Sequence, residues 1–260
     1  MGRPYTRLGV VRAGGVETIT LSVPERRNAI GPQMTNELLW ALEDARTSED
    51  VRVVVLTGAG KAFCAGGDFQ QMTSGTDGDA LPSRGDYADL LLAMAHFEKP
   101  IVAKVNGHAM GGGLGLVAAS TFAIASVEAQ LGTPEIQVGL FPMMIMAVLT
   151  RVVPRRRLLQ MMLLGEKLSA EEGAKIGLVN EAALPGELDA AVSRVVDALL
   201  AKSPLTVKLG LRAFAAQDDL DLTEALPMLR ARLAECLGTE DAREGLMAFL
   251  EKRAPKWTGK

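Results

Sequence analysis

The sequence predicts an α/β protein with a parallel β-sheet, and three observations lead to that class. First, short aliphatic segments alternate with amphipathic helical segments over residues 1–185, and parallel strands need such crossover segments between them. Second, the run Val53–Leu56 is continuously apolar, as expected for a strand covered on both faces. Third, the chain from Leu188 onward is almost entirely helical in pattern. We therefore expect a core at 1–185 and a helical region at 186–260.

The expected elements follow one another in a definite order. A hairpin with its turn at Ala13–Gly15 opens the chain. Pro32 is typical of a first helical turn, and Pro100 ends a helix predicted over Leu90–Phe97. Further strands are predicted at Val51–Thr57, Ile101–Val105, Phe122–Ser126 and Leu178–Ala182. Breaks between the last helices are predicted near Ser203-Pro204, near Asp218–Asp221 and at Gly238.

Composition and charge exclude several classes of function. The 260 residues include 28 Lys and Arg against 31 Asp and Glu, so the net charge of −3 argues against a general nucleic-acid binder. Two cysteines and two histidines provide neither a disulfide framework nor zinc-ligand spacing, and we expect no metal. The sequence has no signal-peptide pattern and no apolar run long enough to span a membrane. We expect a cytoplasmic protein with no membrane partner.

Two glycine clusters, Phe63–Asp68 and Asn106–Gly113, each follow a predicted strand, and each is expected to open a helix. Glycine allows a ligand to approach the backbone closely, and a helix start leaves N–H groups unpaired. Two such sites at adjacent strand ends can direct two N–H groups at one negatively charged oxygen, which is an oxyanion hole. For a single cluster, a tight reversal of the chain is the plainer explanation.

A dinucleotide-binding interpretation competes with the oxyanion hole. The segment Gly113–Ala118 matches the pattern G-x-G-x-x-A, and Glu128 follows the next strand as a ribose-binding acid would. That pattern belongs on the turn directly after the first strand, with a full crossover helix behind it. Neither condition is met here, so a nicotinamide-dependent oxidoreductase is the last of the alternatives.

Glu135 is the candidate general base. It lies in the apolar stretch Leu131–Pro142, where burial would raise the pKa of its carboxyl group toward neutrality. The plainer explanation is a surface glutamate in the first turn of a helix that begins at Pro134, which the helix dipole favours. Cys64 is interpreted as a small buried apolar residue rather than as a nucleophile.

Taken together, these segments resemble the crotonase superfamily, the enoyl-CoA hydratase/isomerase family. The resemblance implies a spiral of ββα turns and a helical C-terminal part that builds trimers, often paired into hexamers. It also implies an acyl-CoA substrate, with no cofactor beyond the CoA moiety of that substrate. The segments that carry it are Pro24–Ala29, Val54–Gly58, Phe63–Asp68, Pro100–Ala103, Gly107–Gly113, Pro134-Glu135, Gly177–Val179, Glu244–Phe249 and Lys252-Arg253.

The resemblance assigns roles to individual residues. It implies that the N–H groups of Gly67 and Gly112 bind the thioester oxygen and that Glu135 is one of two catalytic glutamates. It implies contacts to CoA from the loop after the first glycine cluster and, across a subunit interface, from the C-terminal region. Arg26 and Arg27 are weaker candidates for the CoA phosphates. The implied loop and interface contacts are Ala65, Gly67, Asp68, Phe69, Gln70, Phe249 and Lys252.

The sequence departs from the family pattern at two places. Gly115 stands where hydratases that use two carboxylates carry the second glutamate, and Met143, Met144 and Met146 replace a glycine-rich stretch. One carboxylate suffices to move a proton from C2 to C4, so we expect isomerisation of 3-enoyl-CoA to 2-enoyl-CoA. Hydration of 2-enoyl-CoA, in fatty-acid or related acyl-CoA degradation, is the alternative if another group holds the water. An acyl-CoA-binding protein with degenerate activity is a further alternative.

Overall fold

The computed structural model describes residues 3–68, 71 and 81–260, and in it the chain winds as a spiral. Successive turns place one strand in each of two sheets and then form a helix. This arrangement confirms the α/β class and the ββα spiral. The strands are β1 (Leu8–Ala13), β2 (Val16–Leu21), β3 (Val53–Gly58), β4 (Ala62–Cys64), β5 (Ile101–Val105), β6 (His108–Met110), β7 (Phe122–Ser126), β8 (Gln130–Gly132), β9 (Lys167–Ser169) and β10 (Glu181–Ala183).

The larger sheet has the strand order β1-β2-β3-β5-β7-β10. Strands β1 and β2 form the predicted antiparallel hairpin, and every later pair in this sheet is parallel. The smaller sheet has the order β4-β6-β8-β9, in which only β8 and β9 pair antiparallel. Because β4, β6 and β8 each directly follow a strand of the larger sheet, equivalent loops of successive turns lie side by side.

The helices lie between and after these strands. Pro32 begins the first helix, as predicted, and the predicted breaks separate the last helices. The helix predicted over 90–97 begins three residues earlier, because Asp86 accepts hydrogen bonds from the amides of Ala88 and Asp89. The α-helices whose bounds lie within the described residues are α1 (Pro32–Thr47), α2 (Tyr87–Ala95), α3 (Gly112–Ala118), α4 (Met143–Leu149), α5 (Arg155–Leu164), α6 (Ala170–Lys175), α7 (Leu188–Leu200), α8 (Pro204–Gln217), α9 (Leu222–Leu237) and α10 (Glu240–Leu250).

The larger sheet is covered on both faces, as the apolar run at 53–56 predicted. Val54 and Leu56 face the main core, which includes residues of α1, α2 and α3, whereas Val53 and Val55 face α7. This alternation follows from the two-residue period of a strand. Helix α7 therefore packs on the sheet although it lies in the region 186–260, and the proposed division at residue 185 stays a prediction.

The strand predicted over 178–182 is displaced toward the C-terminus. Leu178 is buried, but its amide donates to the Gly173 carbonyl at 2.9 Å and so belongs to the turn that ends α6. The chain becomes extended only at β10, which pairs with β7. Within 3–68, 71 and 81–260, no helix has the length and apolar character that crossing a bilayer demands.

Candidate active site

Two glycine turns meet at one end of the smaller sheet. Strands β4 and β6 pair in parallel, and each runs into a glycine with positive φ, Gly66 at +105° and Gly111 at +49°. A Cβ atom on Gly66 would lie 3.3 Å from the Met110 carbonyl oxygen, and one on Gly111 would lie 3.6 Å from the Gly66 Cα. The two turns are thus packed against each other, and both positions require glycine.

The orientation of the Gly67 N–H follows from the bridge that Gly67 forms with Ile30. The Ile30 amide donates to the Gly66 carbonyl at 2.8 Å, and the Asp68 amide donates to the Ile30 carbonyl at 2.9 Å. The Gly66 carbonyl and the Gly67 N–H belong to one trans peptide and point in opposite directions. The Gly67 N–H therefore points away from the Ile30 backbone, on the side of a cavity that Gly67 lines.

The Gly112 N–H is oriented in the same way by the first turn of α3. The Gly111 carbonyl accepts from the Gly115 amide at 3.1 Å, so the Gly112 N–H of the same peptide points out of the helix start. Gly112 lines the same cavity as Gly67. Within the described residues, neither N–H donates to a protein acceptor, which leaves two donors for one bound oxygen.

Asn28 fixes the segment that carries the first glycine turn. It is fully buried with a left-handed backbone, φ +56°. Its Nδ2 donates to the carbonyl oxygens of Ala59 and Ala62, both at 2.9 Å, and of Phe63 at 3.2 Å. Its Oδ1 accepts from the Val23 amide at 3.0 Å. All its hydrogen-bonding groups hold backbone around β4, so this side chain positions the glycine turn rather than a substrate.

Glu135 reaches the same place from strand β8. The Gly111 amide donates to the Gly132 carbonyl at 2.9 Å, which holds the end of β8 against the second glycine turn. A short 3₁₀ helix, Pro134–Val138, follows at once. Glu135 Oε1 lies 2.8 Å from the position of a Cβ on Gly111. Its Oε2 is buried and has no hydrogen-bond partner among the described residues, and burial raises the pKa of this carboxyl group.

The cavity between these groups is mostly apolar and has a volume of about 430 Å³. Its backbone donors and its half-buried carboxylate lie among aliphatic, aromatic and methionine side chains, a composition common in sites for small molecules. Asp86 also borders the cavity, but its carboxylate is exposed and accepts hydrogen bonds from the amides of Ala88 and Asp89 in the first turn of α2. The apolar lining residues are Ile30, Pro32, Leu140, Phe141, Pro142, Met143, Met144 and Ile145.

Tyr87 lines the cavity but was not predicted as a site residue from the sequence. Its hydroxyl donates to the Gly112 carbonyl, and burial raises its pKa well above the ordinary value. A Cβ on Gly115 would overlap both the Tyr87 hydroxyl and the Ile145 side chain. The side chain of Tyr87 thus takes the space beside position 115. Its helical spacing with Leu90, Leu91 and Met94, which are buried, is the one signal that indicated an inward-facing residue.

Some of the residues expected to contact CoA near the first glycine cluster form contacts within the chain, and others are exposed or lie outside the described residues. Arg26 Nη1 forms an ion pair with Asp68 Oδ2 at 2.8 Å, whereas the Arg27 side chain is exposed and forms no ion pair with described residues. Ala65 donates its amide to the Arg27 carbonyl at 2.9 Å. Phe69 and Gln70 lie outside the described residues, as does most of the segment expected to form a helix after the first glycine cluster.

Other predicted residues lie away from the cavity. Phe249 is 82% exposed near the end of α10, and Lys252 is exposed in the turn after it; neither lines the cavity of its own chain. Met146 packs against the main core. Cys64 is completely buried, a Cβ on Gly113 would collide with it, and burial raises the pKa of its thiol to about 12. Cys64 is therefore a packing residue, as interpreted from the sequence.

The sequence matches the family described as enoyl-CoA hydratase/isomerase over residues 12–260. The chain belongs to this family. The family assignment confirms the crotonase resemblance. It supports an enzyme of the enoyl-CoA hydratase/isomerase type.

Named members of the family are similar along nearly their whole lengths. An (E)-benzylidenesuccinyl-CoA hydratase from Thauera aromatica is 34% identical over 94% of this chain and 96% of its own length. A short-chain-enoyl-CoA hydratase from Clostridium acetobutylicum is 30% identical over 93% and 94%. The crystal structure of an enoyl-CoA hydratase from Mycobacterium smegmatis superposes with a TM-score of 0.90 at 34% identity, covering 96% of this chain and 98% of that one.

Proposed function

We propose that the cavity binds the reactive end of an acyl-CoA thioester, with the thioester oxygen between the N–H groups of Gly67 and Gly112. Two unpaired backbone donors in a largely apolar site support this assignment. They would stabilise the enolate that forms when C2 loses a proton. One donor of this kind is worth about 10²–10³ in rate.

Glu135 serves as the acid and base for isomerisation of 3-enoyl-CoA to 2-enoyl-CoA. The carboxylate removes a proton from C2, the C3–C4 double bond shifts to C2–C3, and the same carboxyl group returns the proton to C4. The observation that carries this proposal is the buried Oε2 of Glu135, which no described residue hydrogen-bonds and which lies in the same cavity as the two unpaired donors. The raised pKa that burial produces also suits a group that must accept and return a proton.

Hydration of 2-enoyl-CoA is the second candidate and requires a polar group that holds the water. The Tyr87 hydroxyl is such a group, because it lies beside Gly115, the position of the second glutamate in the family pattern. Names of relatives such as the Clostridium acetobutylicum enzyme favour the same reaction. A binding protein with degenerate activity is the third candidate. It predicts thioester binding without turnover.

The test is the ultraviolet absorbance of the conjugated enoyl thioester. Absorbance that rises with a 3-enoyl-CoA demonstrates isomerisation, and absorbance that falls with a 2-enoyl-CoA demonstrates hydration. Glu135→Gln should lower turnover by about 10²–10⁴ while thioester binding persists. Glu128→Gln, a substitution of the same kind at an exposed position outside the cavity, should leave turnover unchanged. A Glu135→Gln rate within a few-fold of wild type would rule out this residue as the base.

A further inference from the structure

The space beside position 115 contains a neutral hydroxyl group instead of a carboxylate. Gly115 has no side chain, and the Tyr87 hydroxyl stands within overlap distance of the Cβ that any other residue would place there. Tyr87 begins α2, an element remote in sequence from α3, and reaches the cavity that Glu135, Gly67 and Gly112 also line. A polar group therefore lies close to position 115, although it belongs to a residue of a different helix.

The hydrogen bonding of Tyr87 leaves one function available to its oxygen. A phenol has one proton to donate and lone pairs that accept. The proton goes to the Gly112 carbonyl, and no described residue donates to the oxygen. Burial keeps the hydroxyl protonated, since its pKa lies well above the ordinary value. Tyr87 is therefore an acceptor in the cavity and not a base.

We propose that Tyr87 holds the nucleophilic water next to Glu135, so that this site hydrates 2-enoyl thioesters with a single carboxylate. The inference rests on the proposed function, because it uses the same oxyanion hole and the same base. A water molecule needs at least two polar partners to be held in an otherwise apolar site. The Tyr87 oxygen and the unpartnered Oε2 of Glu135 are two such acceptors, one for each proton of the water.

The reaction balances without a further reactant. Glu135 takes one proton from the water as the water oxygen bonds to C3, and the C2–C3 double bond becomes the enolate held by the two N–H groups. Glu135 then delivers that proton to C2, which gives the 3-hydroxyacyl thioester and regenerates the carboxylate. Tyr87 accepts a hydrogen bond from the second water proton throughout and undergoes no net change. Isomerisation uses no water and does not need this contact.

Tyr87→Phe separates the two reactions because it removes only the hydroxyl. Hydration of a 2-enoyl-CoA should fall by about 10- to 100-fold, as expected for one lost hydrogen bond to a reacting group. Isomerisation of a 3-enoyl-CoA should fall less than about threefold. The matched control is Tyr5→Phe at the other tyrosine of the chain, whose hydroxyl donates to Asp44 outside the cavity. It should change neither rate.

Three results would overturn the inference. The wild-type protein could fail to hydrate any 2-enoyl-CoA, Tyr87→Phe could leave hydration intact, or both reactions could fall by the same factor. The last result would mean that Tyr87 only supports the Gly112 peptide through its hydrogen bond. The isomerase proposal fails on different results: either the wild type does not isomerise a 3-enoyl-CoA, or Glu135→Gln leaves isomerisation intact.

A second variant covers the case in which Tyr87→Phe does not fold. In a Tyr5→Phe background, Tyr87 is the sole tyrosine, so biosynthetic 3-fluorotyrosine labels this residue alone. Fluorine weakens the phenol oxygen as an acceptor and leaves the ring in place. The ratio of hydration to isomerisation should fall about twofold or more relative to unlabelled Tyr5→Phe protein. An unchanged ratio would contradict the inference.

Discussion

At position 135 the chain has a half-buried carboxylate, and one of its oxygens has no hydrogen-bond partner in the part of the chain that the structure describes. Removing an ionised group from water costs free energy unless partners replace the hydration. Under the proposed function the substrate supplies the missing partner in this cavity, so the free protein retains that cost. The same burial that raises the pKa of Glu135 therefore lowers the stability of the unliganded fold.

This cost predicts a pH-dependent effect of Glu135→Gln on stability. Burial raises the pKa of Glu135 in the folded state, so the carboxyl group favours folding when protonated, and that contribution disappears as pH rises through the folded pKa. At pH 7 the variant should therefore show a higher Tm than wild type. The difference should shrink near pH 4, about the ordinary pKa of a glutamate, where the wild-type carboxyl becomes protonated. Thermal melts at both pH values measure this difference in Tm between Glu135→Gln and wild type, with Glu128→Gln as the control. A lower Tm for Glu135→Gln than for wild type at pH 7 would contradict this account.

The sequence predicted the site residues whose amino-acid type is required by the local backbone or by the chemistry. Gly67, Gly112 and Glu135 were predicted as site residues, and the structure brings all three to one cavity. Tyr87 was not predicted because its role depends on space that Gly115 leaves open. That relation joins two helices and is invisible in either segment alone.

Among the strands, the longer ones were predicted from the sequence and the shortest ones were not. Strands of five or six residues such as β3, β5 and β7 were recognised from their apolar runs. The three-residue strands β4, β6 and β8 were missed, because a segment of that length contains too few residues to show a period. The sheet they form exists only through pairing between segments distant in sequence, and it is this sheet that brings the two glycine turns together.

Helix α3 illustrates how an element can require glycine in its interior. Gly115→Ala should destabilise the protein by about 1–3 kcal/mol, because its Cβ overlaps the Tyr87 hydroxyl and Ile145. Gly210→Ala is the matched control, since Gly210 lies inside α8 and a Cβ there meets nothing within 4 Å. It should stabilise the helix by about 0.5–1 kcal/mol. Urea denaturation measures both, and equal shifts for the two variants would refute the steric account.

At the scale of the whole molecule, the C-terminal helices leave a large apolar surface. Leu222, Leu226, Leu233 and Leu237 of α9 recur at helical spacing and are 57–71% exposed. Leu246, Met247, Phe249 and Leu250 of α10 are exposed as well. Apolar patches of this extent usually mark protein–protein contacts. The sequence predicted these helices but not which faces stay uncovered, since that depends on how each helix packs.

We propose that this surface joins copies of the chain into a trimer or a multiple of three, as the family resemblance implies. Light scattering should therefore give a mass of three chains or six. Leu233→Asp together with Leu237→Asp should lower that mass, because charges on the buried side of an interface are costly. Leu184→Asp, at a leucine that is 57% exposed outside these helices, is the control and should not. If Phe249 and Lys252 contact the CoA bound to a neighbouring subunit, the dissociated double variant should also bind CoA more weakly. A monomeric wild type would exclude both the assembly and that contact.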